Sequence, residues 1–269
     1  RFLSLYRPVV YENTVISCPS HPKEVSPERL VLSDSKCGPA DAVLDVVDNR
    51  RHKREVNFTV CLHKAFINEY DNREEFIEWI EVNRILGAQR FLVYNFSSSD
   101  AALSPILKHY VAEGLVELHD WPVWEVQDDI PGYKGQGAII NDCVYRAMYK
   151  SKYLMLIDVD EIIVPQKVDS WGEAMANLSK CRGKDSILVR NSFFLKDYID
   201  NRTDLLQLET RVLRMSHRLN HTYSCPYRTK LILKPEKTRV AGVHYVKERS
   251  DGSLGQGCCS SPDDLLMQH

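Results

Sequence analysis

One short run concentrates the residue types that could do chemistry. Directly after the apolar segment Tyr153–Ile157 comes Asp158-Val159-Asp160-Glu161. Alternation along an extended chain puts Asp158 and Asp160 on one side. Two carboxylates held there repel each other, and a hard divalent cation relieves that repulsion. An Asp-x-Asp that binds Mn²⁺ or Mg²⁺ grips a diphosphate through the metal, and the metal offsets charge on the departing group. The plainer reading is an acidic surface turn. The strand ahead is apolar throughout and therefore buried on both faces, which counts against that reading. A calcium-binding EF-hand loop is excluded, because its sixth position would be Ile163 instead of Gly.

A phosphohydrolase of the haloacid-dehalogenase type also uses an Asp-x-Asp after an apolar strand, and Asp158 would then be the nucleophile. That motif opens its domain, whereas here three strand–helix units precede it. The later acidic pair Asp263-Asp264 follows a Gly/Ser stretch and not a strand. Motif context therefore favours a nucleotide-sugar site. A glycan-binding domain without turnover is the second alternative.

The elements that must position these residues follow from periodicity. Phe58–Leu62 and Arg90–Phe96 read as buried strands, Leu115–His119 and Tyr153–Ile157 as two more, and Ser186–Arg190 as a fifth. Helical spacing covers Arg73–Leu86, capped by Gly87, then Leu103–Val111, Gln136–Lys150 and Trp171–Leu178. Such alternation means right-handed crossovers and a mostly parallel sheet flanked by helices. Ligands then bind beyond the carboxyl ends of the strands, after 58–62, 90–96 and 153–157. Thr229–Lys234 and Arg239–Val246 read as an antiparallel pair joined around Pro235. Residues 1–57 are an irregular, Pro-interrupted extension, 58–250 the α/β domain and 251–269 a loop-like tail.

Composition limits the setting. The 269 residues carry a net charge of −2, so no overall attraction to nucleic acid is expected. No apolar run approaches the roughly 18 residues of a membrane span, and an anchor upstream of Arg1 is expected. Eight Cys permit four disulfides, with Cys18 and Cys37 able to staple the extension; no C-x-x-C occurs, and the connectivity is not readable. Five of the twelve Asn (57, 95, 177, 201 and 220) open an Asn-x-Ser/Thr sequon. That excess, with the Cys count, points to a lumen of the secretory pathway. The rings Trp121, Trp124 and Tyr133 precede glycines at 132–137, where aromatic faces and a mobile segment could serve a sugar.

Several segments in order resemble glycosyltransferase family 92. They are Cys61–Tyr94 with Lys64, Asn68-Glu69, Phe76–Glu81 and Leu86-Gly87-Ala88; Gln136 through Asn141-Asp142-Cys143; Leu156–Glu161; and Lys230, Pro235 and Gly242-Val243-His244. The resemblance implies a GT-A fold and an inverting, metal-dependent Golgi enzyme, the lumenal part of a type II membrane protein. The donor would be UDP-galactose and the cofactor Mn²⁺. The acceptor would be an N-glycan on a glycoprotein, at terminal galactose or core fucose, in β1,4 linkage. It makes Asp160 the principal metal ligand, with Asp158 sharing the metal or the ribose, and places His244 as a C-terminal metal ligand. Lys64, Asn95, Gln136 and Asp142 would line the nucleotide pocket, and Arg228 and Lys230 could meet phosphate. The inverting base is sought among Asp197, Asp200, Asp204 and Glu209, with Asp200 and Glu209 preferred.

Overall fold

The structure is a computed structural model describing residues 15–16, 27–36, 38–51, 53–64, 73–95, 104–121, 131–195, 215 and 217–269, as backbone alone at 51, 104 and 131–134. Strands β1 (Arg29–Leu32) and β2 (Ala42–Asp45) make an antiparallel hairpin outside the main sheet. Cys18 and Cys37 lie outside the described residues. The main sheet opens with four parallel strands: β3 (Val56–Leu62), β4 (Arg90–Asn95), β5 (Val116–Asp120) and β6 (Ser151–Ile157), in spatial order β5-β4-β3-β6. Helices α1 (Arg73–Leu86), α2 (Ser104–Ala112) and α3 (Pro131–Ala147) lie between them in sequence.

Helix α1 has the bounds its spacing predicts. Phe76, Trp79, Ile80 and Asn83 are its buried residues, one stripe at i, i+3, i+4 and i+7. It stops because Gly87 takes φ +126°, a left-handed conformation closed to most side chains, while its N–H reaches the carbonyls of Asn83 and Arg84, both at 3.1 Å.

The second half of the sheet contains β7 (Ile162–Pro165), β8 (Ser186–Ser192), β9 (Lys230–Leu233) and β13 (Leu265–Gln268), continuing the order β6-β9-β8-β13-β7. Helix α4 (Trp171–Asn177) precedes β8, and β12 (Gly257–Cys259) pairs parallel to β8. The expected pairing around Pro235 does not form. β9 runs antiparallel between β6 and β8, while β10 (Thr238–Ala241) pairs with β11 (Val246–Arg249). The reason is burial: all four residues of β9 are buried, so it needs a strand on each side, whereas β10 is half-covered and is satisfied by a hairpin. Residues 251–269, read as a loop-like tail, instead supply two strands of the main sheet, β12 and β13.

Alternating residues sort the core into two faces. Phe58, Val60, Phe91, Val93, Met155 and Ile157 pack with α1, α2 and α4. Cys61, Leu92, Tyr94, Leu154 and Leu156 pack with α3. Among the described residues three disulfides tie these layers. Cys61–Cys143 ties β3 to α3, Cys181–Cys258 anchors β12 on the α4 face, and Cys225–Cys259 anchors it on the other. Neighbouring residues on a strand point to opposite faces, which is how two adjacent Cys serve two partners.

Cys61–Cys143 closes a loop with a sequence separation of 82. Replacing both Cys by Ala is expected to destabilise the protein by about 2–5 kcal/mol. A urea unfolding midpoint unchanged from wild type would contradict this.

Candidate active site

Strand β6 delivers Asp158 at the carboxyl end of the parallel half-sheet, and β3 delivers His63 and Lys64 beside it. The chain turns at Val159-Asp160, so the alternation that would align the two Asp side chains ends at Ile157. The carboxylates consequently have different partners. Asp158 is buried; its Oδ2 accepts from Lys230 Nζ at 2.8 Å. Its backbone N–H donates to Glu161 Oε2 at 2.9 Å. Lys230 Nζ also lies 2.7 Å from Glu161 Oε2, with both side chains at most 5% exposed. Asp158 Oδ1 is buried without a hydrogen bond, although Lys64 Nζ stands 3.3 Å away and His63 Nδ1 3.7 Å away.

Burial raises the Asp158 carboxyl, but His63, Lys230 and Lys64 bring it below the ordinary carboxylate range. Burial also raises Glu161, and it lowers Lys230, where Glu161 and Asp158 outweigh it and keep the ammonium charged. Burial pushes the fully enclosed His63 down to about 3. The ring is neutral at physiological pH, so the two lysines carry the attraction on Asp158 there. His63 Nδ1 lies 2.8 Å from the Gln136 amide nitrogen and Nε2 lies 3.4 Å from Lys230 Nζ, so polar groups face both ring nitrogens.

Asp160 points elsewhere. Its side chain is 43% exposed, and Oδ2 lies 3.3 Å from Nε2 of His269, the residue after β13. His269 Nδ1 meets the Asn191 amide at 3.3 Å, and that amide can donate or accept, so it holds the ring in either tautomer. The hydrogen bond to His269 lowers the Asp160 carboxyl. His244 Nδ1 sits 2.6 Å from the Thr229 carbonyl, which only accepts, so Nδ1 carries the proton and Nε2 the lone pair. These groups surround a cleft of about 400 Å³. A smaller cavity of about 220 Å³, lined by Tyr153, Ser186 and Lys234 at the opposite ends of β6 and β8, contains none of them.

Residues 56–260 match the profile of glycosyltransferase family 92. The chain belongs to that family. It is 25% identical over 193 residues to the Beta-1,4-galactosyltransferase galt-1 of Caenorhabditis elegans, covering 71% of this chain and 43% of that protein. It is 25% identical over 134 residues to the Galactan beta-1,4-galactosyltransferase GALS2 of Arabidopsis thaliana, covering 49% of this chain and 25% of that protein. The chain thus spans less than half the length of these relatives. Among solved structures, S. aureus TarS 1-349 in complex with UDP aligns at TM-score 0.36 and 13% identity, over 52% of this chain and 37% of that one.

The family motifs distribute as follows. Lys64, Gln136, Asp158, Lys230 and His244 all line the cleft, and Asp160 adjoins it through His269. Asn95 ends β4 with its carbonyl accepting the Trp121 N–H at 2.8 Å, outside the cleft lining. Asp142 lies on α3, where it accepts from Tyr94 Oη at 2.7 Å and Arg146 Nε at 2.5 Å, also outside the lining. Trp121 packs edge-on against Tyr94, a core role. Trp124, Asp197, Asp200, Asp204 and Glu209 lie outside the described residues, as does the Tyr133 side chain. Sequence reasoning assigned no role to His63, Asn191 or His269. His63 was findable, because it directly follows a strand end in the parallel half. His269 was not, because β13 is short and its register against β8 leaves no local trace.

Asp160 and His269 place one carboxylate oxygen and one imidazole nitrogen 3.3 Å apart, a pair of donors that a divalent cation could share. Among the described residues no three His, Cys, Asp or Glu side chains converge. The protein would supply few ligands and leave positions for diphosphate oxygens. Asp158 is already neutralised by Lys230.

Two predictions follow from this geometry. Lys230→Met strands two buried carboxylates and should cost about 3–5 kcal/mol in urea unfolding, with part recovered by adding Glu161→Gln. An unchanged midpoint for Lys230→Met would show that the network is not formed. For His63, the unfolded ring takes up a proton near 6.5 and the folded ring only near 3. Its contribution is complete above 6.5 and is lost as pH falls toward 3, at up to about 1.4 kcal/mol per pH unit. Stability of His63→Gln should therefore fall less steeply than wild type between pH 6.5 and 4.5; parallel curves would contradict the buried neutral ring.

Proposed function

We propose that the chain carries the catalytic unit of an inverting, Mn²⁺-dependent galactosyltransferase. It moves galactose from UDP-galactose to a sugar hydroxyl of an N-glycan, at terminal galactose or core fucose, in β1,4 linkage. The observation that carries this reading is one cleft beyond the ends of β3 and β6, lined by Lys64, Lys230, His244 and His269, with Asp160 beside it, 3.3 Å from His269. The printed names of the C. elegans and A. thaliana relatives support galactose and the β1,4 linkage.

In this reaction the acceptor oxygen bonds to the anomeric carbon of galactose while the bond from that carbon to the diphosphate breaks. The acceptor proton passes to a carboxylate base, for which Asp200 and Glu209 are proposed. Asp160 and His269 would hold a divalent cation, with His244 proposed as a further donor, and the cation would supply positive charge against the leaving diphosphate. Lys64 adds a cation on the β3 side, and buried Lys230 fixes the backbone that presents Asp160. Membership of the family leaves the phosphohydrolase reading of Asp158 without support. Three disulfides and five sequons support a lumenal setting, proposed here as the Golgi, and no described helix is long and apolar enough to cross a membrane.

The test is a panel of UDP-sugars with Mn²⁺ and a galactosylated or core-fucosylated N-glycan, read as UDP release. Release is expected with UDP-galactose and acceptor together. Asp160→Ala should lose at least about ten-fold in Mn²⁺-dependent UDP affinity by calorimetry while its melting temperature holds, since removing a part-exposed charge creates no cavity. Full-strength UDP binding by that variant sinks the metal assignment. Glycan binding with no UDP release would return the protein to the non-catalytic alternative.

A further inference from the structure

Beyond His269 the cleft has an aromatic rim. Phe193, the residue after β8, lies 4.9 Å from the His269 ring and meets Tyr223 edge-on at 5.8 Å. Tyr223 is 5.5 Å from Tyr227. The Arg228 guanidinium stands over all three rings, at 5.7 Å from Phe193, 5.4 Å from Tyr223 and 5.7 Å from Tyr227. Arg228 itself lines the cleft. Core packing does not account for the group: Tyr227 is 57% exposed, and Phe193 and Tyr223 are only half-buried.

The backbone is held in a costly form to build it. Arg228 has φ +51°, in the left-handed region that disfavours a branched or long side chain. The surrounding chain is fixed by the Cys225–Cys259 disulfide and by the Thr229 hydroxyl, which reaches the Pro226 and His244 carbonyls, both at 3.1 Å. Backbone strain kept in place by its surroundings, next to exposed rings, marks a ligand surface.

The location decides which ligand. In a parallel half-sheet the nucleotide lies beyond the ends of the strands, here β3, β4 and β6. The rim instead belongs to the side built from β8 and β9, since Phe193 follows β8 and Arg228 lies two residues before β9. A pyranose has a C–H face, which matches an aromatic face, and an edge of hydroxyl oxygens, which matches a planar fork of donors. We propose that this rim is the acceptor subsite, with Tyr227 stacking an acceptor pyranose and Arg228 donating to its hydroxyls. Phe193 and Tyr223 hold the guanidinium in place. The inference rests on the transferase reading and adds the residues that select the acceptor.

The experiment measures two affinities on one set of proteins: UDP with Mn²⁺ by calorimetry, and a panel of neutral and sialylated N-glycans by direct binding. Tyr227→Ala should weaken glycan binding about ten-fold, the scale of one lost aromatic stack, while Tyr227→Trp retains it. UDP affinity should stay at the wild-type value in both. Arg228→Gly, which suits the left-handed backbone and so keeps the fold, should weaken glycan binding as well. A fall in UDP affinity in Tyr227→Ala overturns the proposal by making the rim a base-stacking site. Unchanged glycan affinity in Tyr227→Ala and Arg228→Gly overturns it, and so does a wild type that binds UDP but no glycan of the panel. A wild type that binds glycan through Tyr227 yet releases no UDP from any UDP-sugar keeps the subsite and removes the transferase reading.

Discussion

A single buried ammonium organises the centre of this molecule. Lys230 sits between Asp158 and Glu161 with 5% of its side chain exposed, and it could not remain charged there without both carboxylates. Nor could they without it, since each is drawn out of water at the end of an apolar strand. The constraint reaches into the topology. To place Lys230 beside Asp158, β9 has to enter the sheet next to β6, and it does so antiparallel, with Leu156 opposite Leu231. That insertion converts a parallel four-strand unit into a platform with a second half. The second half brings His269, Asn191 and Arg228 to the same cleft.

The same ion network divides labour within the acidic motif. Asp158 spends its charge on Lys230 and its backbone N–H on Glu161, so it shapes the turn. Asp160 lies in the turn, part-exposed, and meets an imidazole instead of an ammonium. Two carboxylates that look equivalent in the sequence therefore differ in burial, partner and chemistry. A repulsive pair relieved by metal alone is the wrong picture of this site, because a lysine has already relieved half of it.

Much of the fold was legible because its signals are local. Helix α1 could be bounded from its apolar stripe and Gly87, and β3, β4 and β6 from uninterrupted apolar runs. Their parallel arrangement followed from the alternation of strands with helices. The strands of the second half were visible as strands, but their partners were not. Periodicity states which face is buried, not which neighbour covers it, and so β9 and β10 were paired wrongly. β12 lacks an apolar run altogether; its place comes from two disulfides and from register with β8. The candidate site was legible on the same terms. Residues just past parallel strand ends, such as Lys64 and Asp158, could be found from sequence. Arg228 could also be singled out, but His269 arrives from far along the chain, through a pairing that no spacing encodes.

The two halves also differ in how they are fixed. The parallel half is held by apolar packing on both faces and by Cys61–Cys143, so the strand ends facing the nucleotide side are rigid from within. On the other side, the segment bearing Tyr227 and Arg228 carries little buried apolar surface of its own. Its position depends on Cys225–Cys259, and that bond depends on β12, which Cys181–Cys258 pins from the opposite face. Adjacent Cys residues on one short strand thus transmit the rigidity of α4 and the sheet to an exposed rim. Such a rim can change its ring and guanidinium chemistry without disturbing the ion network beneath it.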